Sequence, residues 1–197
     1  PRANSQVPYG RTDIVEGPLH VADRARFKSE GGGRVSDIIT RGFTPMPETS
    51  IRLAVVGTGY VGLTTGACFA HMGHHVVCGD IDPRKVDLLN AGFIPIVEDG
   101  LEQVVADARA LGRLEFVLGA AEGADIVFLC VPTPQGEDGS ADLSYIETAA
   151  AQIAPVLKPG AVVVNKSTVP VGSTIAVENV LQRNDVFVVS NPEFLRE

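Results

Sequence analysis

An apolar run ending in three spaced glycines constrains this chain more than any other feature. Ile51-Arg52-Leu53-Ala54-Val55-Val56 leads into Gly57-Thr58-Gly59-Tyr60-Val61-Gly62, and a helix-like pattern follows at once. The spacing G-x-G-x-x-G suits a strand that turns sharply into a helix around a dinucleotide. Gly57 permits the tight turn, Gly59 lets the backbone approach a pyrophosphate, and Gly62 lets the new helix pack close to the sheet. Phosphates at that helix start would meet free N–H groups and the positive end of the dipole. Three glycines also fit a strand–turn–helix with no ligand, so the flanks matter. Residues 63–73 are small and helix-forming, and His75-Val76-Val77-Cys78-Gly79 is a second apolar run ending in Asp80. In such folds an acid about 20 residues beyond the turn accepts hydrogen bonds from the adenosine ribose.

From residue 51 onward strand-like and helix-like segments alternate. Strands are expected at 51–56, 75–80, 114–118, 125–131, 161–165 and 186–190, and helices at 60–73, 83–91, 100–112, 142–157 and 172–183. Runs such as Ile126-Val127-Phe128-Leu129-Cys130-Val131 are apolar throughout, which marks strands covered on both faces. The alternation predicts an α/β fold, a doubly wound, mostly parallel Rossmann-type sheet with strand order 3-2-1-4-5-6. Its ligand crevice would lie at the carboxyl ends of the strands.

Residues 1–50 differ from the rest. They mix Pro, Gly, Ser and charge, carry Gly31-Gly32-Gly33 and show no sustained period, which reads as a disordered extension. The chain opens on Pro1, and Met46 stands five residues before the first strand. Residues 1–45 therefore read as a leader or as a flexible arm.

Charge is divided between these parts. The net charge of −8 splits into +1 over residues 1–50, which hold 7 Lys+Arg and 6 Asp+Glu, and −9 over the remainder, with 9 and 18. An acidic domain argues against a nucleic-acid partner. No apolar run approaches the roughly 20 residues that span a bilayer, and with no charged-then-apolar pattern at the start a signal peptide is not expected. Cys68, Cys78 and Cys130 fit no zinc pattern, and the four histidines do not suggest a metal site. The cysteines read as buried, reduced thiols, which suits a cytoplasmic protein.

Further candidates stand at the expected carboxyl ends of strands. Asp80 favours NAD over NADP, because its negative charge would repel a 2′-phosphate. Arg84 and Lys85 could neutralise such a phosphate or line the adenosine edge. Asp80 could also cap a helix, although Asp82, just before Pro83, suits that role better. Val131-Pro132-Thr133-Pro134-Gln135 forms a rigid, extended turn that could cover a cofactor with Thr133 as a hydroxyl donor. After the fifth strand, Ser167 or Thr168, beside Val169, could face the nicotinamide half, or these residues could only satisfy a turn before Ser173 or Thr174 caps a helix. Glu193, beside Pro192, is placed for acid–base work or is a solvated acid.

Six segments together resemble the UDP-glucose/GDP-mannose dehydrogenase family: GTGYVG at 57–62, GDIDPRKVDLLNAG at 79–92, PTP at 132–134, ADLSYIE at 141–147, KSTVPVGST at 166–174 and NPEFLRE at 191–197. The resemblance covers 51–197. It implies NAD as cofactor and a nucleotide-sugar substrate, UDP-glucose first, whose C6 alcohol is oxidised to a carboxylate by two NAD⁺. The family route passes through an aldehyde, then a thiohemiacetal and a thioester on a cysteine, then hydrolysis. The resemblance assigns the pyrophosphate to Gly57 through Gly62, the ribose to Asp80 and the adenosine side to Lys85. Val131 to Gln135 and Ser167 to Val169 would line the cofactor. Glu193 would be the acid–base residue. Phe194, Leu195, Arg196 and Glu197 would border substrate with it, and Glu197 would also approach the nicotinamide. Glu98-Asp99-Gly100-Leu101 departs from the family's Glu-Pro-Gly-Leu. The family's nucleophilic cysteine lies downstream of Glu197, so this chain alone is expected not to complete the reaction. The family dimerises through a helix also lying downstream, which implies a homo-oligomer for the whole enzyme. Other dehydrogenases with this half-fold, of the 3-hydroxyacyl-CoA or 6-phosphogluconate type, and a non-catalytic NAD-binding module are the alternatives.

Overall fold

The computed structural model describes residues 51–119, 122–136 and 139–193. The expectations for 1–50, and for Phe194, Leu195, Arg196 and Glu197, lie outside the described residues. Six strands form one sheet: β1 (Arg52–Val56), β2 (His75–Asp80), β3 (Leu114–Leu118), β4 (Ile126–Leu129), β5 (Val162–Asn165) and β6 (Phe187–Ser190). Every pairing between them is parallel and the order is β3-β2-β1-β4-β5-β6, as the alternation of elements predicts. The helices between them are α1 (Tyr60–His71), α2 (Pro83–Asn90), α3 (Leu101–Ala110), α4 (Ser144–Ile153) and α5 (Ser173–Leu181).

Side-chain alternation along the strands divides the core into two layers. Leu53 and Val55 of β1 pack with α1, α2 and α3, through Leu63, Ala67, Leu89 and Val105. Ala54 and Val56, pointing the other way, pack with α4 and α5, through Ile146, Ile153 and Val177. This is why the sequence of β1 is apolar at every position from Leu53 to Val56: both faces are covered.

β4 is shorter than the expected 125–131. Cys130 N–H still donates to Val56 O, but Pro132 and Pro134 end the ladder soon after. Asp82 caps α2, its Oδ1 accepting from Arg84 N–H at 2.9 Å, with Pro83 at the first turn. The expected caps of α5 are absent. Gly172, at φ +93°, precedes the helix, and the Ser173 hydroxyl donates instead to Pro170 O at 2.7 Å.

Candidate functional site

A cleft of about 700 Å³ opens along the carboxyl ends of the strands. β1 and β4 meet there, at the point where the strand order reverses, which is where doubly wound sheets hold ligands.

The glycine turn forms one wall, and each glycine has a different reason. Gly57 has φ +98°, and a Cβ there would stand 2.5 Å from Cys130 O. A Cβ on Gly62 would stand 1.9 Å from Gly57 O, so α1 closes onto the turn only with glycine. Gly59 is unlike both: a Cβ there would meet nothing within 4 Å, and its φ is an ordinary −71°. The fold therefore does not need glycine at 59, and the open space beside it leaves the backbone bare toward the cleft. Gly59 is also the N-cap of α1, with no side-chain cap and no acid in the first turn. The first N–H groups of α1 thus have no carboxylate competing with a phosphate. Residues in this arrangement fit a dinucleotide.

Thr58 does not face the cleft. It is buried, and both its N–H (2.9 Å) and its hydroxyl (2.6 Å) donate to Asp80 Oδ2. The same oxygen accepts from Lys85 Nζ at 2.8 Å, and Asp80 Oδ1 accepts from Asp82 N–H at 3.1 Å. Burial alone would push the Asp80 carboxyl up, but the hydrogen bonds from Lys85, Thr58 and Asp82 outweigh it and hold the group down at about 2. Asp80 is ionised at neutral pH and borders the cleft, as Lys85 does.

The opposite wall comes from three strand ends tied to one another. The Ser167 hydroxyl donates to Val131 O at 2.7 Å, and the Thr133 hydroxyl to Thr168 O at 2.8 Å. The Thr168 hydroxyl donates to Glu193 O at 2.6 Å, and Glu193 N–H to Lys166 O at 3.2 Å. Lys166 Nζ stands 2.5 Å from Glu193 Oε2. The Glu193 carboxylate is thus held in the same cleft as the glycine turn.

Among the sequence-predicted residues, Gly57, Gly59, Tyr60, Val61, Asp80, Lys85, Val131, Pro132, Thr133, Ser167, Thr168 and Glu193 border the cleft. Gly62 lies beneath the turn. Pro134, Gln135 and Val169 stand off the cleft wall. Gln135 pairs with Ala141 in an isolated antiparallel bridge, and its amide donates to Gly139 O. Sequence reasoning missed Lys166, which the motif KSTVPVGST contains, and the face of α4 formed by Tyr145, Thr148 and Gln152. A polar helix face looks the same in sequence whether it meets water or a cleft. Tyr60 lines the cleft, and its hydroxyl donates to Glu98.

The cysteines differ from the expectation in one respect. Cys78 and Cys130 are buried, but Cys68 is exposed on α1. Burial pushes the Cys130 thiol up to about 12, with Lys166 opposing and Glu193 reinforcing the shift. The Cys78 thiol is also pushed up, by burial first and then by Cys130. Among the described residues, no group of three His, Cys, Asp or Glu side chains could hold a metal ion, and no helix is long and apolar enough to cross a membrane.

Comparison with known proteins converges on one family. The model of the UDP-glucose/GDP-mannose dehydrogenase family, NAD binding domain, matches residues 51–197. The UDP-glucose 6-dehydrogenase of Pseudomonas aeruginosa is 48% identical over 158 residues, covering 75% of this chain and 35% of that protein. The UDP-N-acetyl-D-mannosamine dehydrogenase of Escherichia coli is 46% identical over 122 residues, covering 62% of this chain and 29% of that protein. Among solved structures, a UDP-glucose dehydrogenase from Pyrobaculum islandicum superposes with a TM-score of 0.68 at 39% identity, covering 79% of this chain and 39% of that one. The chain spans about a third of the length of the curated relatives it matches.

Proposed function

We propose, from the premise that this chain belongs to the UDP-glucose/GDP-mannose dehydrogenase family as its NAD-binding domain, that it serves a nucleotide-sugar 6-dehydrogenase acting on UDP-glucose. In this reading the whole enzyme oxidises the C6 alcohol to the carboxylate of UDP-glucuronate, consuming two NAD⁺, and works as a homo-oligomer. The observation that carries the reading is the sharing of one cleft by the glycine turn and Glu193. A dinucleotide seat and an acid–base carboxylate then meet at the same strand ends.

Bound NAD⁺ supplies the hydride acceptor. Gly59 and the first N–H groups of α1 seat the pyrophosphate. Asp80 accepts from the ribose, with Lys85 at its side. Val131, Pro132 and Thr133 with Ser167 and Thr168 form the cover, whose interlaced hydroxyls keep it rigid. Glu193 moves protons at its Oε atoms, oriented by the Lys166 ammonium, and Phe194 through Glu197 border the sugar nucleotide.

The chain's own thiols do not suit the covalent stage. Cys130 and Cys78 are buried with raised pKa values, and Cys68 does not border the cleft. A thiolate is the competent nucleophile, which burial suppresses at Cys130 and Cys78, and Cys68 stands away from the reacting groups. The chain alone therefore binds cofactor without turning over substrate.

A second substrate reading, UDP-N-acetylmannosamine, is favoured by the 46% identity to the Escherichia coli enzyme. The gene product containing this chain, assayed for NADH formation with each sugar nucleotide, separates the two. UDP-glucose oxidation is expected. Activity on UDP-N-acetylmannosamine alone contradicts the substrate assignment, and activity on neither contradicts the enzyme assignment.

A further inference from the structure

We propose that Thr58 sets the choice between NAD⁺ and NADP⁺, by holding the Asp80 carboxylate onto Lys85 and so keeping the Lys85 ammonium from a 2′-phosphate. The inference rests on the cleft being the NAD site, and it concerns a residue whose side chain acts through Asp80 rather than on the cofactor.

Charge alone does not favour one dinucleotide here. Between residues 80 and 85, two carboxylates, Asp80 and Asp82, are matched by two cations, Arg84 and Lys85. A free ammonium beside the ribose would be a ready ligand for a phosphate carrying between one and two negative charges. In this chain the ammonium is already claimed. Asp80 Oδ2 takes three donors at once: Thr58 N–H, Thr58 Oγ1 and Lys85 Nζ, all within 2.9 Å. Asp80 Oδ1 takes one, at 3.1 Å, so the remaining acceptor capacity lies on Oδ1. A ribose 2′-hydroxyl can donate to that oxygen. A 2′-phosphate presents acceptors to it and is repelled.

Thr58 makes the arrangement rigid. The terminal torsion of an aspartate is soft and has no strong rotamer of its own. Two donors from one buried residue fix it, and with it the oxygen that Lys85 grips. Thr58 is 1% exposed, so its hydroxyl is shielded from solvent and bonds Asp80. Without the hydroxyl, the shortest of its bonds, the carboxylate keeps only the Thr58 and Asp82 N–H donors beside Lys85, the Lys85 pair loosens, and the ammonium becomes available to a 2′-phosphate.

Calorimetric titration of the whole chain with NAD⁺ and NADP⁺ tests this. Thr58→Val should shift the ratio of dissociation constants toward NADP⁺ by about ten-fold, the scale of one hydrogen bond to a charged group. Thr58→Ser should keep the native ratio. In Thr58→Val combined with Lys85→Gln the shift should vanish, an outcome that general loosening of the fold would not produce. An unchanged ratio in folded Thr58→Val, or a shift that survives Lys85→Gln, overturns the proposal. Should valine prevent folding, a crystal structure of the native chain with NAD⁺ decides instead. Lys85 Nζ remaining on Asp80 supports the proposal, and Lys85 turned onto the cofactor overturns it. Native protein that binds neither nucleotide overturns the cofactor assignment itself, whereas NAD⁺ binding with an unmoved ratio overturns only the role of Thr58.

Discussion

The ammonium of Lys166, at the end of β5, lies 2.5 Å from the carboxylate of Glu193, beyond β6. The pair ties two strand ends together in the cleft. Lys166 is mostly covered while Glu193 is partly open to solvent, so the attraction is screened on one side. A double-mutant cycle with Lys166→Met and Glu193→Gln should give a coupling of no more than about 1 kcal/mol in urea unfolding, shrinking with added salt. A coupling of several kcal/mol would mean that the pair holds the fold rather than the site.

The three glycines of the turn should separate by assay. Gly57→Ala and Gly62→Ala place a methyl against backbone, at 2.5 and 1.9 Å, and should each cost about 1–3 kcal/mol or more in thermal unfolding. Gly59→Ala should leave stability within about 0.5 kcal/mol of the native chain, because its methyl enters open space. It should nevertheless weaken NAD⁺ binding at least about ten-fold, on the order of 1.4 kcal/mol. A Gly59→Ala protein that unfolds early, or that binds NAD⁺ normally, contradicts this division.

A fourth glycine completes the series. A Cβ on Gly66 would stand 2.5 Å from Cys78 Sγ, in the layer between α1 and β2 and away from the cleft. Gly66→Ala should lower the melting temperature by the equivalent of about 1–3 kcal/mol while NAD⁺ affinity, measured well below that temperature, stays native.

Acid should expose the contribution of Asp80. Its folded pKa of about 2 lies below the ordinary carboxylate value of 3.8, so the stability it confers is full above about pH 4 and disappears as pH falls through about 2. The difference corresponds to about 2 kcal/mol. Asp80→Asn should therefore be less stable than the native chain by roughly that amount at neutral pH. The gap in urea midpoints should close between about pH 4 and about pH 2. A gap that persists below pH 2 would assign the loss to packing instead.

Thiol labelling should follow burial. Mass spectrometry after brief alkylation at neutral pH should find Cys68 modified first, with Cys130 and Cys78 reacting only as the chain unfolds. Rapid modification of Cys130 in folded protein would contradict the enclosed floor of the cleft.

The legible part of this molecule was the part written in local pattern. Apolar strands such as β1 and β5 lie between turn glycines and prolines, and burial on both faces leaves no polar break to blur them. Asp80 was legible because a strand-end acid after a glycine turn has few other reasons to exist. Contacts made by topology were not legible. Nothing near Lys166 indicates that its partner is Glu193, 27 residues away. Nothing in the face of α4 distinguishes Thr148 or Gln152 from solvent-facing residues until the crossover lays the helix beside the cleft. The position of Gln135 was not legible either: its bridge to Ala141 and its amide bond to Gly139 O join residues on both sides of a loop. Gly66 had a readable signal, its position four residues after Gly62 on the same face of α1, but its spacing falls outside the turn motif.

Calorimetric titration of this chain with NAD⁺ and, separately, NADP⁺ tests the central claim most directly. Saturable NAD⁺ binding at one site, tighter than NADP⁺, is the predicted result. No detectable binding of NAD⁺, or a clear preference for NADP⁺, would contradict the account.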